Sequence, residues 1–124
     1  YRKLVRQLAE QVGQEPDRYS TDQQRELAWA IVESDMLRHH VCRRLSGRLD
    51  GIDHGSEGSV DKILMTEVEQ AVGHASMAIG GAGVDGGDDT WLKVYLYSRA
   101  QSVMGGTSQI QRNLIASRLL GLPR

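Results

Sequence analysis

The sequence predicts an all-α protein that folds as an up-and-down bundle of about five helices. Apolar residues recur at helical spacing, glycines separate the helical stretches, and no stretch alternates with the two-residue period of a strand. Phe is absent and aromatic residues make up only 5% of the chain. The core must therefore come from Leu, Ile, Val, Ala and Met, and short connections between long amphipathic helices favour antiparallel packing.

The first helix is predicted from an apolar stripe that begins at Tyr1 and ends near Gly13, so we expect it to be truncated at its N-terminal end. Either Ser20 with Gln23 or Thr21 with Gln24 offers a capping box for a long second helix that ends near Gly47. Its predicted stripe consists of Leu27, Ile31, Ser34, Leu37, Val41 and Leu45.

A third helix is predicted from Ser59 to the glycines Gly80 and Gly81, because its apolar stripe is the most regular in the chain. The fourth helix should begin at N-caps among Asp88, Asp89 and Thr90, with Leu92, Tyr95, Leu96 and Val103 on one face. It should break at Gly105 and Gly106. A fifth helix, capped by Ser108 with Gln111, should then continue to Gly121.

Composition limits the possible functions of the chain. Its 124 residues form one predicted domain, and 15 Lys and Arg balance 16 Asp and Glu, for a net charge of −1. This balance gives no electrostatic indication of nucleic-acid binding, and no stretch approaches the ~20 apolar residues of a membrane span. The single cysteine, Cys42, cannot form an internal disulfide, which favours a soluble, cytoplasmic protein.

Several side-chain patterns have ordinary structural interpretations. Gly81, Gly83 and Gly86 match G-x-G-x-x-G, but a helix precedes them where a dinucleotide fingerprint requires a strand. A glycine-rich loop between helices is the better interpretation. His39 with Cys42 is only half of a metal site, so we expect no metal.

Neighbouring residues of the second and third helices are also predicted to be structural. Cys42 is expected to be a small buried residue, and His74 to pack near the apolar stripe. The arginines at the end of the second helix are expected on a solvated or interface surface, and they are Arg38, Arg43, Arg44 and Arg48.

The segment 104–112 is the most distinctive feature of the sequence. Gly105 and Gly106 permit a tight turn, and the following helix begins with the hydroxyls of Thr107 and Ser108 and free backbone N–H groups. Such a corner can hold an anion or a polar cofactor. The spacing alone leaves a plain capped turn as an open alternative.

Two stretches of the C-terminal third resemble a known family. They are SRAQSVMGGTSQIQRNLIA at 98–116 and RLLGLP at 118–123, and they are similar to the C-terminal end of flavin-dependent acyl-CoA dehydrogenases. The third helix and the glycine loop that follows it are also similar to this family. The resemblance implies that residues 1–124 are the C-terminal helical bundle, whose N-terminal helical and middle β-domains would lie upstream of Tyr1.

The resemblance implies α,β-desaturation of an acyl-CoA thioester, in which a carboxylate removes the α-proton and FAD takes the β-hydrogen as hydride. Many members carry the catalytic Glu where this chain has Gly105, and neither Ser102 nor Met104 can replace a carboxylate. The catalytic residue is therefore unknown from this sequence. Either it lies on the first bundle helix upstream, or the chain belongs to a non-catalytic subunit of a heteromer.

The resemblance also implies cofactor contacts. Thr107 and Gln109 match loop positions that contact FAD, and Gly80 and Gly81 match a loop near the adenine half across a subunit boundary. Where the family commonly has Gln, three residues before the first of these glycines, this chain has Met77.

A second departure is that the family's Arg-x-x-Phe-Gly element is absent from residues 14–20, which offer only Arg18 and Tyr19. The alternatives are therefore a related acyl-CoA oxidase and a helical assembly module that binds no flavin. As a family member, the protein would form a homo- or hetero-oligomer, dimer or tetramer, with Leu119 and Leu120 at the interface.

Overall fold

The structure, a computed structural model, describes residues 1–52, 55–81 and 89–123, which form five α-helices and no strand. The helices are α1 (Arg2–Gln14), α2 (Thr21–Leu49), α3 (Gly58–Gly80), α4 (Thr90–Gln101) and α5 (Ser108–Leu114). A π-helical segment, Ile115–Leu119, extends α5. The predicted all-α class and the number of helices are confirmed.

Helix α3 is central and packs against each of the other four helices. Its last turn contacts the first turn of α2, where Gln23 Nε2 donates to the Ala78 carbonyl at 2.6 Å. Its first turn contacts the last turns of α2, where Arg44 pairs with Asp61. Helices α2 and α3 are therefore antiparallel, as an up-and-down bundle requires.

The core lies between α1, α2 and α3 and is aliphatic, as the composition predicts. Its buried members are Val5, Leu8, Tyr19, Leu27, Ala30, Val68, Val72, Ala75 and Ile79. Trp91 and Val94 of α4 pack against this cluster from the side. No helix in the described ranges is long and apolar enough to cross a bilayer.

The caps that the sequence predicts for α2 and α5 had different outcomes. The capping box of α2 is present: Ser20 Oγ accepts from the Gln23 backbone N–H, and Gln23 Oε1 accepts from the Ser20 N–H. At α5 the predicted cap is wrong by one residue, because Thr107 is the N-cap and its Oγ1 accepts from the Ile110 N–H at 3.3 Å. Residue 107 has the extended backbone of an N-cap, whereas Ser108 is already helical.

The predicted apolar face of α4 is wrong in part. Small or polar residues face α3 beside two apolar ones, because the helices cross closely near Gly73. A side chain at Gly73 would place its Cβ 2.6 Å from Ser98 Oγ. The inward residues of α4 are Trp91, Val94, Ser98 and Gln101, whereas Leu96 in α4 and Val103 beyond it are exposed.

Helix α4 begins where the sequence predicts, but the predicted side-chain cap is not formed. Asp89 is the N-cap residue, but its side chain makes no capping hydrogen bond. Asp88 and the glycines Gly83 and Gly86 lie outside the described residues, as does the rest of the loop 82–88.

A buried ion cluster joins α2 to the start of α3, which corrects, for Arg44, the expectation that the four arginines lie on a solvated or interface surface. Arg44 is 6% exposed, and its guanidinium pairs with Asp61 and lies 3.4 Å from Glu57 Oε2. His40 Nε2 lies 2.7 Å from Asp61 Oδ1. Arg44 is buried because its carboxylate partners come from the other helix, which the pattern of α2 alone does not show.

Two further expectations about burial are wrong. Cys42 is exposed, and so is His74, whose Nε2 lies 3.1 Å from Arg99 Nη1. Neither side chain is enclosed in the core, although His74 contacts Arg99 and Tyr95 at the surface of α4.

Candidate functional site

The break between α4 and α5 is a tight turn built on two glycines. Gly105 has φ +66° and Gly106 has φ +96°, conformations that side chains rarely adopt. The Ser108 N–H donates to the Ser102 carbonyl at 3.1 Å, which closes the turn. Gln111 Nε2 donates to the Gly105 carbonyl at 3.0 Å and so ties the turn to α5.

A cavity of about 450 Å³ opens between this turn, the end of α4 and the middle of α3. Its lining is mostly polar and comprises Thr66, Glu67, Gln70, Arg99, Ser102, Val103, Thr107, Ser108, Gln109 and Arg112. Thr107 is half-buried and Gln109 is exposed, so neither side chain is sealed inside the apolar core. The structure thus brings the two predicted loop residues together at an open polar cavity.

The charges in this cavity are partly balanced. Arg112 Nη2 lies 3.5 Å from Glu67 Oε1, and both side chains are more than half exposed. Arg99 contributes a second guanidinium, which contacts His74 and lies over the Tyr95 ring. Hydroxyl, amide and guanidinium groups together suit a ligand that carries several hydrogen-bonding oxygens and nitrogens.

This set of groups fits FAD, whose ribityl hydroxyls, ring carbonyls and phosphates need such donors and acceptors. Thr107 and Gln109 are the residues that would hold it from the turn, and Thr66 and Gln70 face the same cavity from α3. Gln109 makes no hydrogen bond within the described residues, so its amide is available to a ligand.

Gly105, at the position where the resemblance led us to expect a catalytic Glu, offers no titratable group. The turn gives it a left-handed φ, and the nearest atom to a side chain built there would be Lys62 Cε at 3.6 Å. Space for a side chain therefore exists, but the backbone conformation disfavours one.

Gly80 and Gly81 lie at the other end of α3, about 15 Å along the helix axis from Gln70 at 1.5 Å per residue. The structure therefore does not bring them to the cavity within one chain. Both have local explanations: a Cβ on Gly80 would lie 2.2 Å from Trp91 Cδ1, and Gly81 has φ +72°. A cofactor contact at these glycines stays a prediction.

The contribution of α3 to this cavity is not predicted from the sequence. Thr66, Glu67 and Gln70 lie on one helix face at i, i+1 and i+4, between positions of the apolar stripe. This polar interruption was the available signal. Their role depends on which helix packs opposite, and the spacing within α3 does not contain that information.

The histidine and cysteine residues do not form a metal site in the described part of the chain. No group of three or more His, Cys, Asp or Glu side chains there could hold a metal ion. His40 contacts Asp61, Cys42 is exposed, and His54 lies outside the described residues.

The bundle is a helical domain that presents a polar, glycine-based turn at the end of two packed helices. The family description "Acyl-CoA dehydrogenase, C-terminal domain" matches residues 3–120, and the chain therefore belongs to the acyl-CoA dehydrogenase family.

Three curated relatives show the same likeness. The chain is 39% identical over 101 residues to the acyl-CoA dehydrogenase IpdE1 of Mycobacterium tuberculosis, covering 78% of this chain and 25% of the relative. It is 39% identical over 77 residues to IpdE1 of Mycolicibacterium smegmatis, covering 59% and 20%. The third relative is the acyl-CoA dehydrogenase FadE34 of M. tuberculosis, 35% identical over 77 residues, covering 60% and 10%.

The chain thus spans a quarter or less of the length of these relatives. No solved structure matches it.

Proposed function

We propose that residues 1–124 are the C-terminal helical domain of a flavin-dependent acyl-CoA dehydrogenase, with the N-terminal helical and middle β-domains upstream. The whole protein desaturates an acyl-CoA thioester between its α and β carbons. The observation that carries this proposal is the polar cavity at the Gly105–Gly106 turn, since Thr107 and Gln109 of the family motif both line it.

In this proposal the chain binds and orients the cofactor. FAD, when bound, supplies the acceptor for the β-hydride. The Thr107 and Gln109 side chains hydrogen-bond it from the turn, and α3 closes the opposite wall through Thr66 and Gln70. The α-proton must go to a carboxylate outside this turn, because Gly105 has no side chain.

Gly105 also favours a second candidate function. A helical domain that keeps the cofactor turn without its base suits the non-catalytic subunit of a hetero-oligomer. In that arrangement, this chain contributes an interface and another subunit supplies the carboxylate. An active homo-oligomer of the full-length protein would exclude this candidate.

The test measures FAD binding by the purified full-length protein, through visible flavin absorbance and titration of the apoprotein. Gln109→Ala should weaken FAD binding several-fold, since one lost hydrogen bond is worth about 1 kcal/mol. The Gln109 side chain makes no hydrogen bond to the described residues, so the fold should be unaffected. Gln7→Ala, an exposed glutamine of α1, is the matched control.

Thr107 gives a second comparison at the same turn. Thr107→Ala should weaken FAD binding and also cost about 1 kcal/mol of stability, because its hydroxyl caps α5. Thr107→Ser keeps the hydroxyl and should preserve both properties. A full-length protein that is colourless and cannot be reconstituted with FAD would refute the proposal.

A further inference from the structure

Lys62 of α3 contacts the end of α4 immediately before the cofactor turn. Its Nζ donates to the Gln101 carbonyl at 2.5 Å and to Thr66 Oγ1 at 2.7 Å. Both partner residues are buried, Thr66 at 3% and Gln101 at 7% exposure. The ammonium group therefore sits at the junction of α3, α4 and the turn.

The Gln101 carbonyl needs such a partner because α4 ends there. The last carbonyls of a helix have no intrahelical donor, and a cation near them is favoured by the helix dipole. The neighbouring Ala100 carbonyl accepts from the Val103 and Met104 N–H groups, and the Ser102 carbonyl accepts from Ser108. Lys62 supplies from another helix the donor that the interrupted helix cannot give to Gln101.

The Lys62 side chain also approaches the turn directly. A Cβ on Gly105 would lie 3.6 Å from Lys62 Cε, and Lys62 lines a second cavity that contains Gly105 and Gln111. Through Thr66, which lines the polar cavity with Thr107 and Gln109, Lys62 reaches the proposed cofactor site. It does not itself line that polar cavity.

We propose that Lys62 is a positioning residue, which fixes the α4 end of the Gly105–Gly106 turn and thereby sets the places of Thr107 and Gln109. This inference rests on the proposed function, since it concerns how the FAD-binding turn is held. The hydrogen bonds within the turn join Ser102 to Ser108 and Gly105 to Gln111, but they do not tie the turn to α3. The contact from Lys62 therefore sets where the turn lies relative to α3.

The experiment measures the FAD dissociation constant of the full-length protein, well below its melting temperature, for wild type, Lys62→Met and Lys62→Arg. Lys62→Met should weaken FAD binding about tenfold, as expected for a charged hydrogen bond. Lys62→Arg keeps a cationic donor and should bind FAD within about threefold of wild type. Lys93→Met, an exposed lysine of α4, is the matched control and should have no effect. Lys62→Gln replaces Lys62→Met if the latter does not fold.

Combination with Gln109→Ala separates positioning from a general structural role. If Lys62 acts through the turn, Gln109→Ala should have little further effect on FAD affinity in the Lys62→Met background. Independent, multiplicative effects would overturn the inference, and so would a folded Lys62→Met protein with wild-type affinity. A wild-type protein that binds no FAD would overturn the proposed function as well, so the two failures are distinguishable.

Discussion

At the scale of single residues, Gly105 shows how a backbone conformation and a lost side chain are linked. Its φ of +66° belongs to a region in which a side chain costs roughly 1–2 kcal/mol. Glycine keeps this turn unstrained. In the proposed function, the proton acceptor must therefore come from elsewhere in the whole protein, because glycine has no side chain to supply it.

His40 gives the clearest pH dependence. Burial and the nearby cations of Arg43 and Arg44 lower the pKa of His40 below its ordinary value of about 6.5, against the opposing effect of Glu57. Asp61, 2.7 Å from His40 Nε2, is shared with Arg44. The folded protein therefore holds His40 in its neutral form at neutral pH.

The sign of the effect follows from linkage. Because the pKa of His40 is lower in the folded than in the unfolded chain, the unfolded chain binds more protons as the pH falls. The stabilisation is complete above pH 6.5 and is lost as the pH falls through the folded-state pKa. His40→Gln should therefore lose less thermal stability than wild type between pH 7.5 and pH 5. An equal fall in melting temperature for wild type and His40→Gln over this pH range would contradict the prediction. His39→Gln, at an exposed position, is the control.

At the scale of elements, the Arg44 cluster fixes the contact between α2 and α3. The guanidinium is buried and pairs with Asp61, and Glu57 is close to the same group. Removal of one member leaves buried charge without its partner, which costs more than loss of an exposed pair.

Arg44→Met should therefore lower the free energy of unfolding by about 2–3 kcal/mol, somewhat less than for a fully buried pair, because Asp61 is 35% exposed. Arg43→Met is the matched control. Its guanidinium lies 3.7 Å from Glu57 and its side chain is 62% exposed, so we expect a loss of less than about 1 kcal/mol. Urea unfolding monitored by circular dichroism measures both variants. An equal loss of unfolding free energy in Arg44→Met and Arg43→Met would show that the burial of Arg44 adds nothing to stability.

The contact between α3 and α4 depends on the absence of side chains at Gly73 and Gly80 of α3. Gly80 lies against Trp91, and a Cβ there would be 2.2 Å from the indole Cδ1. Gly80→Ala should destabilise the domain by about 1–3 kcal/mol through overpacking, measured by thermal or urea unfolding.

Two comparisons identify the cause of that effect. Gly13→Ala, where no atom lies within 4 Å of the added Cβ, should not destabilise. Trp91→Leu should recover part of the loss in the Gly80→Ala background, because a smaller side chain leaves room for the methyl group. Additive losses from Gly80→Ala and Trp91→Leu would argue against overpacking.

At the scale of the whole molecule, many large apolar residues remain exposed on the isolated bundle. Leu119 is 42% exposed and Leu120 is 63% exposed, both at the C-terminal end beyond α5. Apolar surface of this kind is typical of interfaces, and the family resemblance implies an oligomer. We propose that these leucines pack against another subunit in the full-length protein.

Leu120→Glu should then shift the full-length protein towards smaller species in sedimentation velocity, because a carboxylate cannot be buried at an apolar interface without a large cost. Leu120→Met conserves volume and polarity and should leave the assembly unchanged. An unchanged sedimentation profile for Leu120→Glu would remove this residue from the interface.

The sequence by itself determined what depends on local chemistry. The helical class follows from apolar periodicity, the start of α2 from the Ser20 and Gln23 capping box, and the turn at 105–106 from paired glycines. These features are set by neighbours within a few residues. The family motif at 98–116 likewise lies in one continuous stretch.

Only the tertiary structure decided which surfaces are covered. Arg44 is buried while Cys42 is exposed, and α4 turns the small residue Ser98 inward where it crosses Gly73 closely. The contact from Lys62 to Gln101 joins residues 39 positions apart in the chain, and the polar cavity joins α3 to the turn and α5. Such contacts depend on how helices cross, and helical spacing within one segment carries no information about its partner.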